Sequence, residues 1–139
     1  MKNSFFFSIL LALSACISSS RTKVVDYTGF FTDSNSKVWI ISSYHQENEE
    51  YFENDLISAD LLIFYADGSY AETTIQDLAQ RKFKKGRFYL NSEEETIELV
   101  SENEKSIFSF DIDDDGTLIF EPLGNTKFGF KAIPFPHLN

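Results

Sequence analysis

The sequence predicts an all-β fold, with eight antiparallel strands following one another in a meander that closes as a barrel or stacks as a sandwich. Three observations carry that reading. From Lys37 onward, short runs rich in branched and aromatic residues alternate with turn chemistry at close intervals. Asp67-Gly68, Asp115-Gly116 and Gly124-Asn125 supply tight hairpin turns, so the strands flanking each of them run antiparallel. Aromatic residues make up 16% of the chain beside only 6 glycines and 3 prolines, which is enough apolar surface to fold a chain of net charge −10.

Taken in order, strands are expected over 37–45, 59–66, 69–74, 83–91, 96–101, 106–112, 117–121 and 126–133. Residues two apart share one face of a strand. The inner set is therefore Phe88 and Leu90, Ile97 and Leu99, Phe108 with Phe110 and Ile112, Leu118 and Phe120, and Phe128 with Phe130 and Ala132. Lys127, Gly129 and Lys131 face out. Two segments interrupt the meander. Residues 47–58 form a long acidic connection, and Ile75, Leu78, Ala79 and Phe83 recur at helical spacing. Thr74 with Asp77 three residues on caps a short helix near residues 74–82.

The chain opens Met1-Lys2-Asn3, runs apolar from Phe5 to Leu13, and reaches Leu13-Ser14-Ala15-Cys16. A spanning helix needs about twenty apolar residues, and Ser18-Ser19-Ser20-Arg21 ends this run too early. Residues 1–15 read as a removed signal peptide. The tetrapeptide resembles the lipobox of bacterial lipoprotein precursors, which implies a diacylglycerol thioether on Cys16 and an acylated amine of the palmitate type. Ile17 in place of Asp, with no acidic run behind it, points by the same resemblance to the periplasmic face of the outer membrane in the cell envelope. Cys16 is the only cysteine, so no disulfide can form and the domain rests on its core alone. Residues 16–35 are then anchor and tether, with Val24-Val25 and Gly29-Phe30-Phe31 able to dock on a domain spanning 36–139. Loss of Lys2 with the leader takes the charge from −10 to −11, which opposes a nucleic-acid partner. The membrane is held by acyl chains rather than by charge.

Ser36-Lys37-Val38-Trp39-Ile40-Ile41, then Leu62-Ile63-Phe64-Tyr65-Ala66-Asp67-Gly68-Ser69-Tyr70, then Gly86-Arg87-Phe88-Tyr89-Leu90 resemble the recurring pattern of bacterial lipocalin-like lipoproteins. That pattern is a tryptophan in the first strand, a Phe-x-x-Asp-Gly-(Thr/Ser) hairpin, a Gly-x-(Trp/Phe) strand and a late strand pair, here Ile107 to Ile112 with Thr117 to Phe120. The resemblance spans residues 36–133 and implies a closed lipocalin- or calycin-like barrel. Lys37 stands where lipocalins carry the glycine of Gly-x-Trp, and Phe88 replaces a second tryptophan.

Asp111-Ile112-Asp113-Asp114-Asp115-Gly116 reproduces the opening of a calcium-binding EF-hand loop. The twelfth position, which needs a bidentate Glu, is Pro122, and the flanks are strands. The stretch therefore reads as a polar hairpin turn, with Asp111, Asp113 and Asp115 a weak cation site at most. Glu47, Glu49, Glu50, Glu53 and Asp55 form a second acidic cluster, which reads as a solvated loop or one edge of a short helix, with a docking surface for a basic partner anchored by Tyr51 and Phe52 as the alternative. Arg81, Lys82, Lys84, Lys85 and Arg87 make the one basic patch, which either pairs internally with the acidic loops or grips an anionic headgroup. His45 and His137 are the only histidines and neither accompanies a nucleophile motif, so no enzymatic activity and no cofactor is expected.

The interior has two readings. Trp39, Phe64, Phe88, Phe108, Phe110, Phe120 and Phe130 either fill a narrow barrel or line a calyx for a small hydrophobic ligand. Short strands enclose little volume, which favours a filled or nearly filled core. The expected function is a non-catalytic binding module for a small apolar ligand, held at the membrane. Its competitor is a solid-core interaction or inhibitor subunit of an envelope assembly that recognises a protein through its acidic loops.

Overall fold

The structure, a computed structural model, describes residues 24–46, 52–53 and 59–136. The leader, Cys16, Tyr51, most of the acidic connection and His137 lie outside the described residues. Eight strands close into a barrel: β1 (Ser36–Gln46), β3 (Asp60–Tyr65), β4 (Ser69–Thr74), β5 (Lys84–Asn91), β6 (Thr96–Ser101), β7 (Lys105–Ile112), β8 (Leu118–Leu123) and β9 (Phe128–Pro134). Each pairs antiparallel with the next, and β9 returns to β1. Every expected strand is present with its ends moved by at most two residues. The one addition is β2 (Phe52–Glu53), inside the expected acidic connection, whose two residues pair with Tyr44 and Ser43.

Closure depends on β1, the longest strand. It pairs with β3 through Ser36 to Ile40 and with β9 through Trp39 to Gln46, and a register shift lies between Ile41 and Ser43 on the β9 side. Such an irregularity bends a strand and raises its twist, which lets one strand serve both neighbours of a closed sheet. The hairpin turns fall where expected, and Gly68 (φ 84°) and Gly116 (φ 78°) take the left-handed conformation that side-chain-bearing residues avoid.

The inward face is the one that alternation marks. Trp39, Leu62, Phe64, Phe88, Ile97, Leu99, Phe108, Phe110, Leu118, Phe120, Phe130 and Ala132 are all buried in one cluster, with Leu90 and Ile112 half-buried at its edge. Phe128 departs from the expected inner set. It shares the inward phase but lies beyond the last β8–β9 rung, Phe120 with Phe130, and is 53% exposed. Gly129 faces out yet is buried, because the His45 ring lies against it: a Cβ there would stand 2.1 Å from His45 Cε1 and 2.4 Å from the Phe120 carbonyl oxygen. A second apolar cluster, Ile40, Ala59 and Leu61 with Val38 and Ile133, occupies the outer face of the β1–β3 seam.

One end of the barrel is plugged by the chain that precedes β1. Helix α1 (Thr28–Thr32) carries Phe31 into the core, where its ring meets Phe64 edge-on at 5.3 Å and Phe110 at 5.1 Å. The Phe31 carbonyl accepts the Trp39 Nε1 hydrogen at 3.2 Å. Lys37 tightens the same end. Its ammonium donates to the Phe30 carbonyl at 3.1 Å and lies 4.7 Å and 4.5 Å from the Phe30 and Trp39 ring centres. A cation over two aromatic rings ties Lys37 to the plug.

Helix α2 (Ile75–Ala79) is capped as expected: the Thr74 side chain accepts the Asp77 N–H at 3.0 Å. It buries no residue, and Ile75 and Leu78 stay exposed. Its helical spacing records local capping rather than a packed face.

Gly86 leaves no room for a side chain between its neighbours on β4 and β6. A Cβ there would sit 2.3 Å from the Val100 carbonyl oxygen and 2.5 Å from Tyr70 Cε1. Because backbone cannot yield as a side-chain tip does, Gly86→Ala is expected to cost about 2–3 kcal/mol. Urea unfolding checks this: the midpoint should fall while the slope stays that of the parent protein.

Candidate functional site

Opposite the plug the barrel is open, and a cavity of about 840 Å³ enters it. Its apolar floor includes Ile41, Leu62, Phe108 and Phe130, and Phe83 and Phe128 stand at its rim. The walls above that floor are charged. Strand register explains why. Leu62 points inward and pairs with Glu72, and Glu72 pairs with Lys84, so both charged side chains share the inward phase. Two residues above Leu62, Asp60 pairs with Thr74 on the same face. The lower rungs of β3 to β5 present Phe64, Tyr70 and Phe88 to the interior and fill it; the upper rungs present Asp60, Glu72, Thr74 and Lys84, which do not.

These groups are tied to one another. Lys84 Nζ stands 2.7 Å from Glu104 Oε2 and 3.4 Å from Glu72 Oε2. The hydrogen bond to Glu104 raises the lysine pKa, partial burial opposes the shift, and the Glu72 charge adds to the rise. The Tyr44 hydroxyl donates to Asp60 Oδ2. Burial, then that hydrogen bond, then the charges of Asp60 and Glu72 push the Tyr44 pKa far above its ordinary value. Burial, and next the charge of Glu72, raises Tyr70 as well.

A phenol whose folded pKa lies above its unfolded value binds its proton more tightly in the native state. Its contribution to stability is complete below the unfolded pKa of about 10 and is lost as pH climbs from there toward the folded value. The protein is therefore expected to lose stability above pH of about 10, and Tyr44→Phe to lose it less steeply. Urea midpoints collected across the alkaline range measure both slopes; parallel curves would remove Tyr44 from the account.

The expected calyx residues divide between the two halves of the barrel. Phe108 and Phe130 line the cavity. Trp39, Phe64, Phe88, Phe110 and Phe120 pack in the solid half, in edge and stacked contacts such as Phe64 with Phe88 at 5.0 Å and Phe120 with Phe130 at 4.4 Å. Of the expected partner surface, Tyr51 is outside the described residues and Phe52 is described through its pairing with Tyr44 alone. Asp111, Asp113 and Asp115 sit at the β7–β8 turn near the plugged end. Asp113 Oδ1 accepts the N–H groups of Asp115 and Thr117, both at 3.0 Å, and Asp111 Oδ1 accepts that of Ile112 at 2.8 Å. Among the described residues no group of three or more His, Cys, Asp or Glu is arranged to hold a metal ion.

The basic patch is divided by the strand that carries it. Lys84 points inward, Lys82 stands at the rim, and Arg87 on the outward phase donates to the Asp67 carbonyl at 3.2 Å. Outside the barrel, His45 Nε2 lies 2.7 Å from Glu121 Oε2. Asp60 and Glu72 are the site residues that sequence reasoning missed, and Lys84 was read only as part of the basic patch. The signal was in plain view, because all three fall on the phase of Leu62, Tyr70 and Phe88 while breaking its apolar character. No family model, no curated protein and no solved structure matches the chain.

Proposed function

We propose that this protein is a membrane-anchored, non-catalytic binding module of the cell envelope, with the open half of its barrel receiving the apolar part of a small ligand. The observation that carries this reading is the cup itself: about 840 Å³ above an apolar floor, in a barrel whose other half is solid. Small-molecule sites occupy roughly 300–1,000 Å³ and combine apolar lining with a few convergent polar groups. The cup has both. Apolar surface on the ligand would displace water from Ile41, Leu62, Phe108 and Phe130, at about 25 cal/mol for each Å² removed from solvent.

The lipobox resemblance supplies the rest of the reading, with Cys16 as the site of acylation and the periplasmic face of the outer membrane as the location. The described chain begins beside the plug, on the closed base. An anchor eight residues before Val24 turns the base toward the bilayer and the mouth away from it. The module then draws a dissolved ligand toward the membrane surface.

Titration with the neutral fluorophore N-phenyl-1-naphthylamine tests the cup. Saturable enhancement is expected in the parent protein. Ser106 lines the cavity on the inward phase, paired with Leu99, so Ser106→Trp fills the space from the wall. It is expected to weaken the fluorophore at least about tenfold, or about 1.4 kcal/mol. Its urea midpoint should stay within about 1 kcal/mol of the parent. Unchanged affinity in a folded Ser106→Trp protein would rule the cup out as the binding site.

A further inference from the structure

We infer that the ligand of the cup is a cationic amphiphile, an apolar chain or ring system bearing an amine or quaternary ammonium head. The inference rests on the reading of the cup as a ligand site and adds the sign of the head group. It comes from sorting the charged residues around the cavity by the direction their strands impose. Asp60, Glu72 and Lys84 are on the inward phase, and Glu104 reaches Lys84 from the β6–β7 connection. Three carboxylates therefore face one ammonium, and that ammonium is held by two of them.

The remaining lysines near the mouth do not reverse this sign. Lys105 precedes inward Ser106, so it falls on the outer face, where it pairs with Glu98 at 2.9 Å. Lys127, in the turn before β9, and Lys82 line the rim together with Asp77, so with Lys105 paired to Glu98 the wall keeps one carboxylate in excess. An anionic head would meet the excess of carboxylate at the wall, whereas a cation would relieve it. The aromatic lining acts in the same direction, since Tyr44, Phe108 and Phe130 line the cavity and aromatic rings attract a cation.

Displacement of N-phenyl-1-naphthylamine by decyltrimethylammonium, decanol and decanoate, each below its micelle concentration, tests the inference with the tail held constant. Decyltrimethylammonium is expected to bind at least about tenfold more tightly than decanoate, with decanol between them, and added salt should narrow the gap. Glu72→Gln with Glu104→Gln should shrink the preference for decyltrimethylammonium over decanoate several-fold. Asp60→Asn gives the same test should that pair fail to fold. Equal or tighter binding of decanoate would overturn the cationic assignment and leave the cup standing as a ligand site. If neither the fluorophore nor any of the three decyl compounds binds, the reading of the cup as a ligand site falls, and the head-group assignment with it.

Discussion

Truncation of Phe31 to alanine is expected to destabilise the protein by about 3–5 kcal/mol, the range for removing a fully buried phenylalanine from a packed core. Phe31 has no solvent exposure and lies at the meeting point of rings from three strands: Phe64, Phe110 and Phe120. Each edge contact of this kind adds about 0.5–1.5 kcal/mol beyond the area it buries. Domains of this size are stable by only about 5–15 kcal/mol, so the loss would take a large share of the total. The barrel wall cannot close over the gap, because α1 is the plug that covers it. Urea unfolding followed by the emission of Trp39, the only tryptophan, reads the loss directly. A change under about 1 kcal/mol would mean that the plug rests on the barrel without being part of its core.

The second large effect concerns the proposed anchor. Each buried methylene of an acyl chain contributes about 0.8 kcal/mol, and one chain alone binds a bilayer only marginally, whereas several hold it firmly. The lipobox resemblance assigns several chains to Cys16, and nothing else in the sequence substitutes for them. A chain of net charge −10 is repelled by anionic headgroups, and among the described residues no helix is long and apolar enough to cross a membrane. Cys16→Ser in the full-length protein is therefore expected to abolish incorporation of labelled palmitate and to move the protein from the membrane fraction to the soluble one. Continued labelling of the Cys16→Ser protein would overturn the assignment of Cys16 as the acylated residue.

The barrel strands were legible because their information is local. The Asp67-Gly68 and Asp115-Gly116 turns state where the chain reverses, and period-two alternation from Phe88 to Ala132 states which side is buried. The same rule missed Phe128 because alternation assigns a face and not a height. One rung above Phe130 the β8–β9 pairing has ended, and an inward residue there meets solvent. Helix α1 was missed for a related reason. Five residues carry too short a period to announce a helix, and Gly29 is a poor helix former. The segment is helical because the open base of the barrel offers Phe31 a site bounded by Phe64, Phe110 and Phe120, residues far along the chain.

The charged half of the site was written in the sequence and hidden by its surroundings. Glu72 stands among many other charges in a chain that is 24% charged and drew no notice, and Lys84 was read only as part of the basic patch. Their significance depends on Leu62 pairing with Glu72 and Glu72 with Lys84, a chain of rungs that only the assembled sheet supplies.

By itself, the sequence determined the all-β meander, the positions of its turns and the apolar inner phase, since each depends on residues only a few positions apart. Tertiary structure alone decided that the barrel is solid below and hollow above, that Phe31 closes its base, and that Asp60, Glu72, Lys84 and Glu104 meet at its mouth. Alternation is a property of one strand, whereas height within a barrel is set by the register of every strand with its neighbours. A cavity exists only where those registers bring polar inward residues to the same level.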